Sequence, residues 1–419
     1  MLNKSEGGGY VYADYNATAP INKSVKQSIL EVLSLQMLNP SSLHRSGQKA
    51  RKILENARDD VYNFIGVSNN KEIVFTSSAT EANNLVMFGM QGYQHVISAI
   101  EHPSILNSAH NPQVIPVNRD GIVDLVELEK ILNELKGNKV LVSVMMANNE
   151  TGVIQPIKRI AEIVHKFGGV LHTDAAQSVG KIDVNMENLG VDLLTLSAHK
   201  FGGIAGSGVL IFDKKLEIKP MIFGGGQEKG LRGGTENIIA IAGLSAALRN
   251  IPELLIKMKE IEILRDQLEY ELAHRPLAKP IYGEKFSGEV KTSNAEYANV
   301  FAEHRPASTV KLPSEIEFCK QFNVFGRNAE RLPNTSCVYM PGVKNDVQLM
   351  NFDLNNIAVS NGSACSSGKI EPSYVLLAMG ATKEQAECSI RISIGWETKS
   401  EDIKKIVNCW LSIYNKSLV

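Results

Sequence analysis

The 419-residue chain is poor in cysteine and carries almost no net charge. Its five cysteines are an odd number, lie far apart and form no C-x-x-C pair, so we expect no disulfide framework. No H-E-x-x-H pattern occurs either, so we expect no metal site of the usual zinc or iron–sulfur kind. Lys+Arg 44 against Asp+Glu 45 gives a formal net charge of -1, which provides no global attraction for nucleic acid. We therefore expect no direct nucleic-acid partner.

Long hydrophobic runs are also absent. No apolar run approaches the roughly 20 residues that span a bilayer. The N-terminal MLNKSEGGGY has neither the apolar stretch of a signal peptide nor the Arg-rich pattern of a transit peptide. We therefore expect a cytoplasmic protein with no membrane partner. With 43% hydrophobic and 21% charged residues, the chain has the composition of an ordinary globular protein with a sizeable core.

Short apolar runs alternate with amphipathic stretches between residues 62 and 212. This alternation predicts repeated β-α units, and hence an α/β fold with a mostly parallel sheet. Each run stops at a polar cluster, and the carboxyl ends of parallel strands share one edge of a sheet. We therefore expect these clusters to converge on a ligand site at that edge. The runs are KEIVFTSS, HVISAI, VLVSVMMA, GGVLHTDA, VDLLTLSA and GVLIF.

The pattern becomes helical at residues 238–272, which predicts a long connection between two domains. We predict a large domain over residues 15–260 and a smaller α+β domain made of residues 1–14 and 261–419. Within the smaller domain, residues 278–318 mix Pro, Ser, Thr and charge without a period, and are interpreted as a surface insertion. Strands are then predicted at TSCVYM and SIRISIGW, and a helix at KSEDIKKIVNCWLSIY.

Two residues at predicted strand ends suit a cofactor that carries an aldehyde and a pyridine ring. Lys200, in LSAHKFGG, could form a Schiff base with the aldehyde, although a surface lysine before a glycine turn is the plainer interpretation of that motif alone. Asp174, in HTDAAQ, could hold a proton on the ring nitrogen, or could simply cap a helix. Their occurrence on two successive strand ends favours the cofactor.

Two further elements could complete this site. The segment TSSATEANN closes a strand and opens a helix, whose first turn could bind a phosphate, or could be a capping box only. His102 follows HVISAI and could stack on a cofactor ring, or be structural.

One cysteine differs from the others in its surroundings. Cys365 lies in VSNGSACSSG, among small polar residues, which is typical of an exposed and mobile nucleophile. Three others lie in predicted core elements, where a cysteine is inert. These are Cys337, Cys388 and Cys409.

Taken together, the motifs ADYNATAP, IVFTSSATEANNL, HTDAAQSVGK, LSAHKFGG, GGGQEKGLRGGTEN and AVSNGSACSSG resemble one family over nearly the whole chain, except about residues 278–318. They are similar to the pyridoxal-phosphate-dependent cysteine desulfurases of the class V aminotransferase-like family. The resemblance implies a fold-type I transferase that acts on L-cysteine with pyridoxal 5'-phosphate. It also implies a homodimer that passes sulfur to an iron–sulfur scaffold or another acceptor protein.

The resemblance also implies the roles of individual residues. Lys200 matches the Schiff-base lysine, His102 the ring-stacking histidine, and Cys365 the nucleophile that keeps the sulfur as a persulfide. The released Lys200 amine is then the simplest base for the Cα proton. Asn149 and Arg391 match the residues that hold the substrate carboxylate. The remaining cofactor-binding positions are Asp174 at the ring nitrogen, Gln177 at the phenolic oxygen, Ala79, Thr80, Ser197 and His199 at the phosphate, and Thr235 at the phosphate of the neighbouring subunit.

Three positions depart from the family pattern. Ser78 stands where glycine is usual, Ala19 where threonine is usual, and Trp396 where arginine is common. None of them removes a group that the chemistry requires. Two alternatives remain open: another pyridoxal-phosphate lyase or aminotransferase, which would not need Cys365, and a catalytically impaired paralogue that binds the cofactor and acts as a scaffold.

Overall fold

The structure is a computed structural model that describes residues 9–36, 38–66, 70–274, 322–362 and 371–417. Cys365 and the predicted insertion at residues 278–318 lie outside the described residues.

A seven-stranded sheet occupies the centre of the first half of the described chain. Its spatial order is β2-β8-β7-β6-β5-β3-β4. The first eight strands are β1 (Val11–Tyr12), β2 (Lys71–Thr76), β3 (Gln94–Ser98), β4 (Gln113–Ile115), β5 (Val140–Ser143), β6 (Val170–Asp174), β7 (Leu193–Ser197) and β8 (Gly208–Asp213).

Strand β8 is the one that reverses direction in this sheet. It pairs antiparallel with both β2 and β7, whereas β4, β3, β5, β6 and β7 pair parallel in sequence across the sheet. Since β8 is antiparallel to both β2 and β7, the strands β2 and β7 point the same way. The carboxyl ends of every strand except β8 therefore meet at one edge, and the prediction of an α/β fold with a mostly parallel sheet is confirmed.

Helices cover both faces of this sheet. Their apolar residues recur at helical spacing, so these helices have an apolar side that packs against the sheet. In Ile157–Lys166, for example, Ile157, Ile160, Ala161 and Val164 are buried at positions i, i+3, i+4 and i+7. The helices are α1 (Lys23–Leu33), α2 (Arg45–Ile65), α3 (Ala79–Gly89), α4 (Pro103–Leu106), α5 (Leu125–Glu134), α6 (Ile157–Lys166), α7 (Met186–Leu189), α8 (Ile238–Arg249) and α9 (Ile251–His274).

The later part of the chain forms smaller sheets around a second core. Strands β12, β10 and β9 make an antiparallel sheet, and β11 pairs parallel with the N-terminal β1. The strands are β9 (Asn323–Val324), β10 (Thr335–Tyr339), β11 (Ile357–Ala358) and β12 (Ser389–Ser393). The helices are α10 (Asn345–Leu354), α11 (Tyr374–Ala378), α12 (Lys383–Glu387) and α13 (Ser400–Ser417).

Helix α9 joins the two cores. Its first turn buries Ile251 and Leu254 against the core of the large sheet, and its later turns bury Met258 and Leu268 in the second core with Trp410. The predicted domain boundaries near residues 14 and 260 stay predictions, because packing clusters do not show which parts fold independently. Within the described ranges no single helix is long and apolar enough to cross a membrane, and only α8 and α9 together, bent by 60°, reach that length and composition.

The three cysteines predicted to lie in the core are buried. Burial raises the pKa of Cys388 and of Cys409 to about 11, and raises the pKa of Cys337 further. A thiol with such a pKa stays protonated at neutral pH and is a weak nucleophile.

Candidate active site

A cavity of about 640 Å³ lies at the carboxyl edge of the large sheet. Its walls come from residues at the ends of β2, β3, β5, β6 and β7, as the strand directions require. Its volume is within the range of about 300–1,000 Å³ that small-molecule and cofactor sites occupy. Ten of the predicted site residues line it: Ala79, Thr80, His102, Asn149, Asp174, Gln177, Ser197, His199, Lys200 and Arg391.

Asp174 is the last residue of β6 and is buried. Its Oδ2 accepts a hydrogen bond from Asn83 Nδ2 at 2.7 Å, and its Oδ1 accepts one from the backbone N–H of Ala176 at 2.9 Å. These two bonds fix the plane of the carboxylate at the cavity wall. Asn83, on α3, was not predicted, because only the fold brings it beside a residue 91 positions away.

Lys200 ends the short 3₁₀ turn that follows β7. Its Nζ donates to the backbone oxygen of Asn16 at 2.6 Å and to that of Ala17 at 3.0 Å. The N-terminal segment therefore covers this lysine and holds its amine inside the cavity. The alternative interpretation as an exposed surface lysine is wrong for this residue.

The part of the cavity wall at the start of α3 suits an anion. Ser78 caps α3, because its Oγ accepts a hydrogen bond from Glu81 N–H at 3.1 Å. The N–H groups of Ala79 and Thr80 precede the first intrahelical bond, so they and the helix dipole favour a bound phosphate. Gly208 on β8 permits this close packing, since a Cβ there would lie 2.4 Å from the carbonyl carbon of Ser78. Ser197 and His199 line the same cavity from the end of β7.

Both cavity histidines are neutral at physiological pH. Burial, and to a lesser extent the charge of Lys200, lower the pKa of His199 to about 4. Burial also lowers the pKa of His102, while Asp174 opposes the shift and Lys200 adds to it. His102 Nδ1 accepts a hydrogen bond from Ser104 N–H at 3.1 Å, so its proton lies on Nε2. His102 therefore presents an uncharged ring, as a stacking role requires.

Arg391 and Asn149 form a polar wall at the boundary between the two cores. Arg391 lies on β12, and its terminal nitrogens donate to Asn149 O at 2.9 Å and to Asp14 Oδ1 at 2.7 Å. Arg391 Nε and Asn149 Oδ1 are buried without a hydrogen-bond partner among the described residues. Unsatisfied buried polar atoms in a cavity wall indicate a polar ligand. The guanidinium keeps donors for a carboxylate, since two of its five N–H groups are used in those bonds.

Asn16 is a central residue of the site that the sequence interpretation did not assign. It is 1% exposed, and its backbone oxygen accepts hydrogen bonds from Lys200 Nζ and from Gln177 Nε2. Its Nδ2 donates to Thr335 Oγ1 at 2.9 Å and to Asn149 O at 3.1 Å. Its place in the quoted motif ADYNATAP was the available signal, but the motif alone gives it no partner.

The three departures from the family pattern occupy structural positions. Ser78 is the N-cap of α3 in extended backbone, which needs no glycine. The N–H of Ala19 donates to His199 O at 2.8 Å. Trp396 packs edge-on against Tyr15, with ring centroids 5.2 Å apart.

Two predicted residues are not among the described residues that line the cavity. Thr235 is exposed on the loop before α8, so within this chain it contributes nothing to the cavity. That loop is anchored by Glu228, whose buried carboxylate accepts from Arg58 and from the N–H of Phe75 at 2.9 Å. Cys365 lies outside the described residues, but Gly362 and Glu371, the described residues that flank its segment, line the cavity.

His172 beside this site makes stability depend on pH. It is fully buried between Ser143 Oγ at 2.9 Å and Thr195 Oγ1 at 3.0 Å, and burial lowers its pKa from 6.5 to about 4. Between pH 4 and pH 6.5 His172 is protonated in the unfolded chain and neutral in the folded chain. Its contribution to the free energy of unfolding is therefore fully present above pH 6.5 and is lost as the pH falls toward 4. We expect a loss of about 3 kcal/mol in the free energy of unfolding over that window.

Urea unfolding of the parent and of His172→Gln at several pH values measures this contribution. The variant is expected to be less stable at neutral pH and to show a shallower decline toward pH 4. If the free energy of unfolding fell equally steeply in the parent and in the variant, this role of His172 would be contradicted.

Comparison with known proteins agrees with this geometry. The sequence model of the Aminotransferase class-V family matches residues 11–308 and 290–406. The chain belongs to this family. It is 35% identical to the cysteine desulfurase IscS of Dictyoglomus turgidum, over 94% of this chain and 91% of that protein. It is 34% identical to cysteine desulfurase IscS 1 of Archaeoglobus fulgidus, over 94% of each chain.

Solved structures are similar to this chain as well. The X-ray structure of a NifS-like protein from Rickettsia africae superposes with a TM-score of 0.80 at 35% identity, and covers 97% of this chain and 99% of that one. The structure of SspA in complex with cysteine superposes with a TM-score of 0.67 at 27% identity, and covers 92% and 99% of the two chains. The predicted fold and family are thereby confirmed.

Class-V aminotransferases use pyridoxal 5'-phosphate, and the cavity fits this cofactor. The amino end of α3 with Thr80, Ser197 and His199 would hold the phosphate. Asp174 would face the ring nitrogen, and Lys200 would reach the aldehyde carbon. The cavity thus provides an anion site, a carboxylate and an amine in one enclosure.

Proposed function

We propose that the protein is a cysteine desulfurase, which takes the sulfur atom from L-cysteine and releases L-alanine. The observation that carries the proposal is the placement of Lys200 and Asp174 at the ends of adjacent strands in one cavity that Arg391 also lines. The names of the relatives described above support the same activity. Another support is that Gly362 and Glu371, on either side of the Cys365 segment, border this cavity.

In this mechanism the chain's own residues position the substrate and move its protons. The bound cofactor supplies an electron sink that makes the Cα–H bond of the substrate acidic. Arg391 binds the substrate carboxylate and orients Cα toward the Lys200 amine. Lys200 Nζ, which the carbonyls of Asn16 and Ala17 hold in the cavity, accepts the proton from Cα. Asp174, fixed by Asn83 and the N–H of Ala176, keeps a proton on the ring nitrogen.

Cys365 completes the reaction by accepting sulfur. Its thiolate attacks the sulfur atom of the substrate, so an S–S bond forms and the bond between that sulfur and Cβ breaks. The electron pair of the broken bond stays with the carbon fragment, which takes up protons and leaves as alanine. Cys365 keeps the sulfur as a persulfide.

The test of this function is product analysis with the purified, cofactor-loaded protein. With L-cysteine and a thiol reductant, we expect alanine and sulfide in equal amounts. Pyruvate or keto acid in place of alanine would indicate a different lyase or an aminotransferase. Cofactor binding without any product would favour the impaired paralogue.

We further propose that the protein is a homodimer in which Thr235 of each chain reaches the phosphate site of the other. This would account for a site residue that is exposed and away from its own cavity. Phe223, 83% exposed near this loop, supports a protein contact there, because a large exposed apolar side chain favours burial. We also propose the cytoplasmic location expected in the sequence analysis. From the family resemblance we propose an acceptor protein for the sulfur, in iron–sulfur assembly or thiolation.

Mixing two inactive chains tests the shared site. A dimer of a Lys200→Ala chain with a Thr235→Ala chain contains one site with both residues intact only if Thr235 acts across the interface. We therefore expect the mixture, after subunit exchange, to recover cofactor affinity and alanine production that neither variant has alone. Sedimentation shows whether the mixed dimer forms. A mixed dimer without recovery, or a fully active monomer, would contradict the proposal.

A further inference from the structure

Lys181 is a buried lysine directly behind the cavity wall. It is 7% exposed, and its Nζ donates to Gln177 Oε1 at 2.7 Å and to Asn16 Oδ1 at 2.8 Å. Within the described ranges no carboxylate forms an ion pair with it, which is unusual because burying an amine without a counter-charge is costly. The feature therefore calls for a role beyond packing.

The bonds of Lys181 do not depend on its charge. Burial lowers the pKa of Lys181 well below its ordinary value, and the positive charges of Lys200 and Arg391 lower it further. The ammonium carries three N–H donors and the neutral amine carries two, so either form can donate to both oxygens.

The amide of Gln177 is held in one orientation by its two neighbours. The oxygen must face Lys181, because the lysine side chain donates there. The nitrogen must face the backbone oxygen of Asn16, which only accepts, and it donates there at 3.0 Å. Exchanging the amide's oxygen and nitrogen would break both bonds at once. The NH₂ group therefore keeps a second hydrogen for a ligand in the cavity that Gln177 lines.

Asn16 is fixed in the same way. Its Oδ1 accepts from Lys181 and from Asn334 Nδ2 at 3.1 Å, which turns its Nδ2 toward Thr335. The backbone oxygen of Asn16 accepts hydrogen bonds from Gln177 Nε2 and Lys200 Nζ. Because Lys181 fixes Asn16, it also supports Gln177 and Lys200, the two residues that would contact the cofactor. Lys181 itself does not line that cavity.

We propose that Lys181 is a positioning residue that keeps the Gln177 NH₂ group available to donate a hydrogen bond to the anionic ring oxygen of pyridoxal phosphate. The inference rests on the cofactor occupying this cavity, as in the proposed function. Without Lys181 only the bond from Nε2 to the backbone oxygen of Asn16 orients the amide, so Gln177 Oε1 is free to turn toward the ligand, where an amide oxygen facing an anionic oxygen repels it. The effect on the cofactor should therefore pass through Gln177.

The test is a double-mutant cycle on the cofactor-loaded, full-length protein with Lys181→Met, Gln177→Ala and the double variant. We measure the dissociation constant for pyridoxal phosphate and the pH midpoint of its visible absorption band. Lys181→Met is expected to weaken cofactor binding about tenfold, since a hydrogen bond to a charged group is lost. The midpoint should rise by about one pH unit, because the donor stabilises the deprotonated form.

The double variant shows whether Lys181 affects cofactor binding through Gln177. If Lys181 acts through Gln177, the double variant matches Gln177→Ala in both quantities. Effects that add would overturn the proposal, because Lys181 would then act through its own charge or through packing. An unchanged affinity and midpoint in Lys181→Met would overturn it as well.

Two further variants separate this role from general stability. Lys71→Met removes another buried lysine, one that pairs with Asp213 at the far edge of the sheet, and is expected to lower the melting temperature without moving the midpoint. Lys181→Gln keeps a donor toward Gln177 and should restore affinity and midpoint toward the parent values. If Lys181→Met does not fold, Lys181→Gln is measured in its place. The proposal is then overturned if the pH midpoint of Lys181→Gln differs from the parent value as much as the midpoint of Gln177→Ala does. A parent protein that binds no cofactor would contradict the proposed function itself.

Discussion

Replacement of Lys200 by alanine is expected to lower alanine production from L-cysteine by more than about 10³-fold. The variant loses the amine that we propose to bind the cofactor covalently and to accept the Cα proton. Among the described residues that line the cavity, no other lysine is present to take its place. The measurement is alanine formed per chain under cofactor saturation, together with the absorption spectrum of the bound cofactor.

Lys166→Ala is the matched control, because Lys166 is exposed on α6, pairs with Glu129 at the surface and is not among the residues that line the cavity. It should retain the parent rate and spectrum. Parental turnover by Lys200→Ala, with the cofactor still attached through a covalent bond, would show that a different lysine carries the reaction.

Replacement of Cys365 by serine is expected to abolish transfer of sulfur to the protein while leaving cofactor binding intact. A hydroxyl cannot form a persulfide, and none of the residues assigned to cofactor binding is removed. Mass spectrometry after a single turnover should find the added sulfur on Cys365 of the parent and on no residue of the variant. Alanine production should fall to background.

Cys388→Ser is the control for this experiment. Burial raises the pKa of Cys388 to about 11, so this thiol is protonated at neutral pH and should not carry sulfur. The control is expected to produce alanine at the parent rate. Persulfide found on Cys388, or alanine released at the parent rate by Cys365→Ser, would contradict the assignment.

The sequence predicted most of the fold because the buried strands are apolar and end at polar clusters. The runs at β2, β3, β5, β6, β7 and β8 were each identified. Strand β4, three residues long, was not, since three residues give no period. The reversal at β8 also went unrecognised, because strand direction depends on the connection and not on the composition of GVLIF.

Candidate site residues were predictable from the sequence where the residue type itself limits the chemistry. Lys200 and Asp174 were singled out because few residue types can form an imine or hold a ring proton, and both line the cavity. Asn16, Asn83 and Lys181 are side chains with common functional groups, and only their partners give them roles. Gln177 is four residues from Lys181, but Asp174 is 91 residues from Asn83 and Ser393 is 377 residues from Asn16, so the local sequence does not identify these contacts.

The contacts of Asn16 also set the time at which the site can form in a growing chain. Its N–H donates to Ser393 Oγ and its side chain to Thr335, which lie 377 and 319 residues further along. At about 5–20 residues per second, Ser393 is synthesised roughly 20–75 s after Asn16. The carbonyls that hold Lys200 therefore reach their places only after most of the polypeptide has left the ribosome. The cavity wall is consequently complete only once β12 has been synthesised, because a nascent chain that stalls before β12 lacks Arg391.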